Sequence, residues 1–202
     1  MTIKLTSDMF DHRWPHAGHS LCENMVNQSE IEFAKAGITE LSVAADFMAQ
    51  VSEETGGGVE LEENLNYSAP RLHQVWPSKF ASLASAMPYA HNPRSLADYV
   101  YSGRMGNQRG TDDGWEFRGR GLLQVTGRSW YDALGILKNP EFASAPDQAL
   151  GVALKFWLLD GINAFALSGN FRGETLRING GYNGLVMRLA WRQIWRSEFG
   201  LT

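Results

Sequence analysis

The sequence contains a single cysteine, Cys22, among its 202 residues. An internal disulfide is therefore impossible, and the fold cannot depend on an oxidising compartment. Basic residues are not in excess either, because 18 Lys and Arg stand against 22 Asp and Glu, giving a formal net charge of −4. Proteins that bind nucleic acid usually carry a basic surface, so we expect no nucleic-acid partner.

Long apolar runs are also missing. The most apolar stretch, 149–159, contains Lys155 and is much shorter than the roughly 20 residues that span a bilayer, so we expect no stable membrane insertion. The N-terminus has no uninterrupted apolar segment of the kind found in signal peptides. We therefore expect a protein that is cytoplasmic when synthesised, and any action outside the membrane would require another agent to release it.

Known metal and phosphate motifs are missing from the sequence as well. His12, His16 and His19 have metal-like spacings, but Pro15 interrupts any regular helix and no cysteine or carboxylate completes a known ligand set. Neither of the common glycine-rich phosphate motifs occurs. We expect no metal site and no cofactor.

The organisation of the chain favours one domain over 1–202, since repeats, low-complexity tracts and long linkers do not occur. Apolar residues at helical spacing predict helices over 39–55, 71–80 (shortened by Pro77), 95–101, 146–159 (with Pro146 in its first turn) and 185–198. The segment 58–67 is predicted to be a β-hairpin or an extended loop, and 103–121 a long loop. The predicted fold class is mainly α, within α+β.

The last predicted helix carries two patterns. Its apolar residues are expected to face inward, and they are Leu185, Leu189, Trp191 and Ile194. Arg188, Arg192 and Arg196 recur at i, i+4 and i+8, which indicates a solvated face. The alternative interpretation is a surface that holds acidic groups of a polymer.

Between Val51 and Asn64 the chain reads V-S-E-E-T-G-G-G-V-E-L-E-E-N, which places five glutamates around three glycines. On a helix, Glu54 lies about 20° from Phe47 and so continues the apolar stripe, whereas Glu53 lies on the more polar side. A carboxyl group against apolar side chains has its charged form disfavoured, so we expect a raised pKa for Glu54, as a general acid requires. The alternative is a partly exposed residue at the end of the helix.

A second carboxylate would come from the segment that follows. If this segment is extended, Glu62 and Glu63 point to opposite faces, so only one of them can share a cleft with Glu54. A protonated and an ionised carboxyl group in one cleft are what glycosidic bond hydrolysis requires. The loops also offer side chains suited to sugar binding, namely Asn64, Asn66, Tyr67, Trp115, Gln124, Trp130, Tyr131 and Asn179.

Five motifs follow one another in the order E-E-T-G-G, L-E-E-N-L-N-Y-S-A, G-R-M-G-N, F-R-G-R-G-L-L-Q-V-T-G and I-N-G-G-Y-N-G-L. Together they resemble glycoside hydrolase family 19, and most closely its chitinase-like lysozymes and phage endolysins, over roughly 41–195. The resemblance implies a lysozyme-like helical domain with a small hairpin or extended lobe beside a catalytic cleft. It also implies inverting hydrolysis of β-1,4 bonds next to N-acetylated amino sugars.

The resemblance assigns roles to particular residues. The glutamate before the T-G-G element, Glu54, corresponds to the general acid. The second carboxylate of the phage-type members lies nine residues later, which favours Glu63 over Glu62 as the base. The matched substrate-binding residues are Gln124, Thr126 and Asn179, with Tyr131 as a further sugar-binding candidate, and Arg188 falls where the family often has an arginine near the acidic pair.

Three positions depart from the family pattern. Glu53 stands where the family usually has histidine, Gly58 where an aromatic residue is common, and Trp130 where asparagine is typical. None of the three is one of the paired carboxylates. They therefore bear on substrate preference more than on the type of reaction.

Within this family, the sequence favours peptidoglycan over chitin, because plant chitinases rely on disulfides and secretion. The predicted function is an endo-acting, endolysin-like glycosidase that acts as a monomer on peptidoglycan. Two alternatives stay open. One is a chitinase acting on N-acetylglucosamine polymers, and the other is a non-catalytic glycan-binding relative.

Overall fold

A computed structural model of the chain describes residues 2–201, which form two compact units. The first unit comprises the residues up to Leu61, Arg120–Gln124 and those from Glu141 on, and the second comprises Glu62–Gly119 and Val125–Pro140. Secondary structure is almost entirely helical, as predicted. Among residues 2–201, no helix has the length and apolar character needed to cross a membrane.

The first unit contains seven of the α-helices found in residues 2–201. They are α1 (Ser7–Arg13), α2 (His19–Lys35), α3 (Leu41–Glu54), α9 (Ala149–Leu159), α10 (Ile162–Leu167), α11 (Phe171–Asn179) and α12 (Leu185–Glu198). The second unit contains α4 (Ala69–Val75), α5 (Leu83–Ala86), α6 (Pro93–Val100), α7 (Asp113–Glu116) and α8 (Arg128–Ala133). Short 3₁₀ turns cover Met87–Tyr89 and Pro140–Ala143.

Helix α3 is the centre of the first unit. Ten consecutive residues, from Val43 to Ser52, are buried, which is the signature of a helix surrounded by protein. The ring of Phe47 makes edge contacts with Phe33 of α2 and Trp157 of α9, at centroid distances of 5.7 and 5.4 Å. The predicted helix over 39–55 is therefore confirmed, and it ends at Glu54.

The two ends of the first unit meet at α3. The indole nitrogens of Trp14 and Trp195 both donate to the Ser52 hydroxyl, at 3.0 and 2.8 Å. The Ser52 hydroxyl donates in turn to the Met48 carbonyl oxygen at 2.7 Å. A buried hydroxyl can accept two hydrogen bonds and donate one, so all of its capacity is used.

The glycine turn after α3 also rests on the N-terminal segment. Gly58 has φ +79°, and a Cβ atom there would lie 2.5 Å from the Trp14 ring and 2.9 Å from Ala17 Cβ. The indole occupies the space that a side chain at position 58 would need. This accounts for glycine at a position where the sequence departs from the pattern of the family that it resembles.

Helix α12 has the predicted bounds, but the prediction of its inward face was only partly right. Of the four residues expected inside, Leu189 is 41% exposed and the other three are half-buried, whereas Arg188 and Trp195 are buried. The arginine face was also wrongly interpreted as solvated, because the Nε and Nη2 atoms of Arg192 donate to the two carboxylate oxygens of Asp46 on α3, at 2.6 and 2.8 Å. Carboxylates on α3 therefore draw the arginines of α12 inward, and apolar residues are left outside.

Two other predicted boundaries need correction. Helix α9 begins at Ala149, and Pro146 lies in the turn before it rather than in its first turn. Helix α2 was not predicted, because only Leu21, Met25, Ser29 and Phe33 are buried along its 17 residues. That stripe is narrow and is interrupted by a polar side chain.

The core of the second unit consists of apolar residues from α4, α5, α6 and the connecting loops: Leu65, Ala69, Leu72, Phe80, Ala86, Leu96, Ala97 and Val100. Helix α4 ends at Val75, two residues before Pro77, as predicted. The described residues of 58–67 form turns and extended chain, so the extended alternative holds. The predicted loop over 103–121 contains the single-turn helix α7.

Candidate active site

Glu54 is the last residue of α3, and its carboxylate contacts Arg188 of α12. The Arg188 Nη2 atom donates to Glu54 Oε1 at 2.6 Å. The Arg188 side chain is 3% exposed and that of Glu54 is 13% exposed. The structure therefore brings together these two predicted site residues, and part of the Glu54 side chain still reaches solvent.

The guanidinium of Arg188 is fixed by two further acceptors. Its Nη1 atom donates to Gln50 Oε1 at 2.8 Å, and its Nε atom donates to the Asn183 carbonyl oxygen at 3.2 Å. A planar guanidinium with three acceptors on different sides has one orientation. Arg188 therefore holds the Glu54 carboxylate in a fixed place.

Glu53 lies beside this pair, against Gly184, the residue that precedes α12. A Cβ atom at Gly184, whose φ is +71°, would lie 2.4 Å from Glu53 Oε1, so a side chain at position 184 would require the Glu53 carboxylate to move. Burial raises the pKa of the Glu53 carboxyl; the Arg188 cation opposes the rise and the Glu54 carboxylate adds to it. Glu53 is thus a second carboxyl group next to the pair.

Gln124 and Asn179 belong to the same unit as Glu54. Gln124 has φ +49°, a backbone conformation that non-glycine residues rarely adopt. Its side-chain amide donates to the carbonyl oxygens of Gly121 and Glu60, at 3.1 and 3.3 Å. Asn179 ends α11, and within residues 2–201 no hydrogen-bond donor reaches its buried Oδ1 atom. An unsatisfied buried acceptor of this kind is typical of a position that awaits a ligand or a water molecule.

Glu63 lies in the second unit, where neutral donors hold its carboxylate. Glu63 Oε1 accepts from the Tyr101 hydroxyl at 2.5 Å, and Oε2 accepts from the Gly119 amide at 3.3 Å. The Glu63 amide itself donates to the Gly119 carbonyl oxygen at 2.9 Å. Burial raises the pKa of Tyr101, and the adjacent Glu63 carboxylate raises it further, so the phenol stays protonated as a donor.

Glu62 has a different environment from Glu63. Its carboxylate forms an ion pair with Arg118 at 2.5 Å, and its side chain is 45% exposed. The Arg118 guanidinium stacks on the Trp115 ring at 3.9 Å from the centroid. The adjacent glutamates therefore differ in partner: Glu62 faces a cation near solvent, and Glu63 faces uncharged donors.

The other predicted residues of the second unit are Thr126 and Tyr131. Thr126 is half-buried. Tyr131 is fully buried, with its ring 5.2 Å from that of Phe117 and its hydroxyl donating to the Arg118 carbonyl oxygen at 2.7 Å. This is the placement of a core residue rather than of a sugar-binding one, so we leave Tyr131 out of the proposed site.

Comparison with known proteins decides the family. No family model matches the chain. A Haemophilus influenzae protein described as a glycosyl hydrolase family 19 domain-containing protein is 34% identical over 194 residues, which cover 93% of this chain and 94% of that protein. The chain belongs to glycoside hydrolase family 19.

Solved structures agree on the fold. A mutant of chitinase C superposes on the family 19 chain with a TM-score of 0.59, and chitinase C from Streptomyces griseus with a TM-score of 0.56. In both comparisons the sequence identity is 20%, and the match covers 98% of this chain and 93% of the other. The predicted lysozyme-like helical fold is confirmed.

Sequence reasoning missed two residues that contact the candidate carboxylates or their partners. Gln50 lies one helical turn before Glu54, and this spacing is the only sequence signal of its contact with Arg188, the partner of Glu54. Tyr101 directly follows α6, next to aromatic residues of the core, and nothing in its own neighbourhood predicts a contact with Glu63. Both contacts depend on residues far away in the sequence.

Proposed function

We propose that this family 19 chain is an endo-acting glycosidase that cleaves β-1,4 bonds of peptidoglycan by inverting acid–base hydrolysis. Glu54 would protonate the leaving oxygen, and Glu63 would activate the attacking water. The enzyme would act on the cell wall after release from the cell that makes it, in the manner of an endolysin.

The observation that carries the proposal is the contact between Glu54 and Arg188. A buried guanidinium fixes the carboxyl group at the end of a central helix, while 13% of the Glu54 side chain stays exposed for contact with a substrate. After Glu54 has given up its proton, the guanidinium would stabilise the carboxylate that remains. Fixed donors that meet a developing charge are an effective source of catalysis.

The environment of Glu63 supports its role as the base. Both of its oxygens accept hydrogen bonds from uncharged donors, which suits an ionised carboxylate. Glu62 instead forms an ion pair with Arg118. We therefore keep Glu63 as the base, with Gln124, Thr126 and Asn179 as substrate-binding residues.

Two arguments bear on the polymer. The single cysteine excludes the disulfide framework on which plant chitinases rely, and this favours peptidoglycan. The structural neighbours are called chitinase C, and this favours chitin as the second candidate. Both polymers contain β-1,4-linked N-acetylated amino sugars, so one site could act on either.

The deciding experiment is product analysis by mass spectrometry after digestion of purified peptidoglycan and, in parallel, of a soluble chitin oligomer. We expect new reducing ends from peptidoglycan. Proton NMR of the first product should show that the configuration at the anomeric carbon is inverted relative to the substrate. Cleavage of amide bonds only would refute the glycosidase, and turnover of the chitin oligomer alone would establish the second candidate.

A variant separates an enzyme from a glycan-binding relative. Glu54→Gln removes the acid and keeps the shape of the side chain, so it should lower turnover by about 10³-fold or more while polymer binding is retained. Clearing of permeabilised bacteria by the wild type and not by Glu54→Gln is expected. Equal clearing by both would exclude Glu54 as the acid.

A further inference from the structure

A buried polar cluster lies in the first unit behind Arg188. Asp46 and Gln50 of α3, and Glu174 and Thr175 of α11, are each at most 1% exposed. Arg192 of α12 closes the cluster through its two hydrogen bonds to Asp46. Two fully buried acids in one cluster are unusual, because a buried carboxylate requires a cation or several donors.

The cations near Glu174 are already engaged. Arg192 binds Asp46, and Arg188 binds Glu54, Gln50 and the Asn183 carbonyl oxygen. Glu174 Oε2 accepts only a 3.4 Å hydrogen bond from Gln50, and within residues 2–201 no donor reaches its buried Oε1 atom. If both acids were ionised, a second negative charge would lie beside Asp46 with no cation of its own.

A proton on Glu174 removes this conflict. The group that faces Glu174 is the Asp46 carboxylate, and two acceptors can hydrogen-bond only if one of them carries a proton. Burial, and then the charge of Asp46, raise the pKa of Glu174 to about 9. The raised pKa and the Oε1 atom without a donor both favour Glu174 as the member of the pair that carries the proton.

The same cluster fixes the orientation of the Gln50 amide. The Thr175 hydroxyl donates its one proton to the Phe171 carbonyl oxygen at 3.1 Å, so it can only accept from Gln50 Nε2, also at 3.1 Å. The amide nitrogen of Gln50 therefore points at α11, and its oxygen points at Arg188 Nη1. If the Gln50 amide were flipped, its N–H groups would face the N–H groups of the Arg188 guanidinium. Two donors would then meet and no hydrogen bond could form.

We propose that Gln50 and Glu174 are positioning residues that hold Arg188 on Glu54, and that Glu174 does this as a neutral acid sharing its proton with Asp46. The chain of contacts runs from Asp46 and Glu174 through Gln50 to Arg188, and from there to the proposed acid. The proposal rests on the proposed function for its kinetic consequence. The location of the proton is independent of that function.

Ionisation of Glu174 should disrupt this arrangement. The charged groups that face it are Asp46 on α3 and Arg192 on α12, with Arg188 one contact further; α10, which also packs on α11, has no titratable side chain. An ionised Glu174 would repel Asp46 and compete for the arginines. Turnover should therefore fall in alkaline solution as the proton leaves.

Three variants test the proposal. Gln50→Leu removes the acceptor for Arg188, Glu174→Leu removes the shared proton, and Glu174→Gln keeps a neutral side chain that can donate to Asp46. We expect Gln50→Leu and Glu174→Leu to lower kcat by roughly tenfold or more while KM changes by less than about threefold. Glu174→Gln should keep kcat within about twofold at neutral pH and abolish the loss of turnover in alkaline solution.

Ser29→Ala, which removes a buried hydroxyl elsewhere in the unit, is the control for a merely structural loss of activity.

Two spectroscopic readouts make the test independent of turnover. Infrared spectroscopy of the folded wild type at neutral pH should show the carbonyl band of a neutral carboxylic acid, and Glu174→Gln should lack that band. The Nη1–H group of Arg188, which donates to Gln50 Oε1, should be protected from exchange in the wild type and lose that protection in Gln50→Leu.

The outcomes separate the two proposals. Absence of the infrared band, or equal loss of kcat in Glu174→Gln and Glu174→Leu, would overturn the neutral acid. If Gln50→Leu behaves like Ser29→Ala in kcat, in pH profile and in Arg188 exchange, the positioning role is wrong. An inactive wild type would refute only the proposed function, because the band and the exchange measurement would still decide the proton and the Arg188 contact.

Discussion

Replacing Arg188 by methionine removes the cation that contacts Glu54 and keeps a long side chain. The wild-type guanidinium donates to Glu54, Gln50 and the Asn183 carbonyl oxygen at 2.6, 2.8 and 3.2 Å. Removing one member of a buried ion pair usually costs about 3–5 kcal/mol, because the other charge is left without a partner. Since Glu54 keeps some contact with solvent, we expect the lower end, about 3 kcal/mol.

Thermal unfolding gives the first measurement. For a chain of this size, 1 kcal/mol corresponds to roughly 2–4 °C, so Arg188→Met should lower Tm by about 6–12 °C. Loss of the fixed carboxyl position should also lower kcat by about 100-fold. Arg13→Met is the matched control, because it breaks an ion pair with Glu198 at 2.5 Å whose side chains are 36% and 20% exposed. Such a surface pair contributes only about 0–1 kcal/mol.

A double variant tests the reason for the loss. In the Arg188→Met background, Glu54→Gln removes the stranded charge, so part of the lost stability should return. If Arg188→Met lowers Tm no more than Arg13→Met, the ion pair is not stabilising. If Glu54→Gln gives no recovery in the double variant, the cost does not come from an unpaired carboxylate, and our reasoning fails.

Three further predictions concern the other carboxylates. Glu63→Gln should lower kcat by about 10³-fold while Glu62→Gln changes it by less than about threefold, and the reverse order in a kinetic assay would exchange the two glutamates. Tyr101→Phe removes one donor to Glu63 and should lower kcat by roughly tenfold, and an unchanged kcat would show that this hydrogen bond is idle. The pKa of Glu174 is about 9 in the folded chain and 4.5 in the unfolded chain. Between these two pH values the unfolded chain loses the proton more readily than the folded chain, so the free energy of unfolding should fall as pH rises. The slope from this group is at most about 1.4 kcal/mol per pH unit; urea unfolding at several pH values should give a flatter profile for Glu174→Gln, and parallel profiles would refute the assignment.

The sequence predicts those features of the fold that depend on local pattern. Helix α3 carries an apolar repeat between glycines, so its existence and the place of Glu54 in its last turn follow from spacing alone. The ends of α12 follow from its composition in the same way. Its inward face does not, because the arginines are buried by carboxylates about 140 residues earlier in the chain.

The candidate site shows the same limit. Spacing separates Glu62 from Glu63 by face but cannot choose between them; their partners Arg118 and Tyr101 come from later segments of the chain. Tyr131 matches a sugar-binding residue by type, yet its ring and its hydroxyl are both used within the core. Burial and long-range hydrogen bonds decide these positions, and neither has a local signature.

The Ser52 hydroxyl bears on how the gene can be engineered. Trp14 and Trp195 lie 6.0 Å apart by ring centroid and share this acceptor two residues before Glu54. A deletion that removes either tryptophan would therefore act on the proposed acid, although both residues are distant from it in sequence.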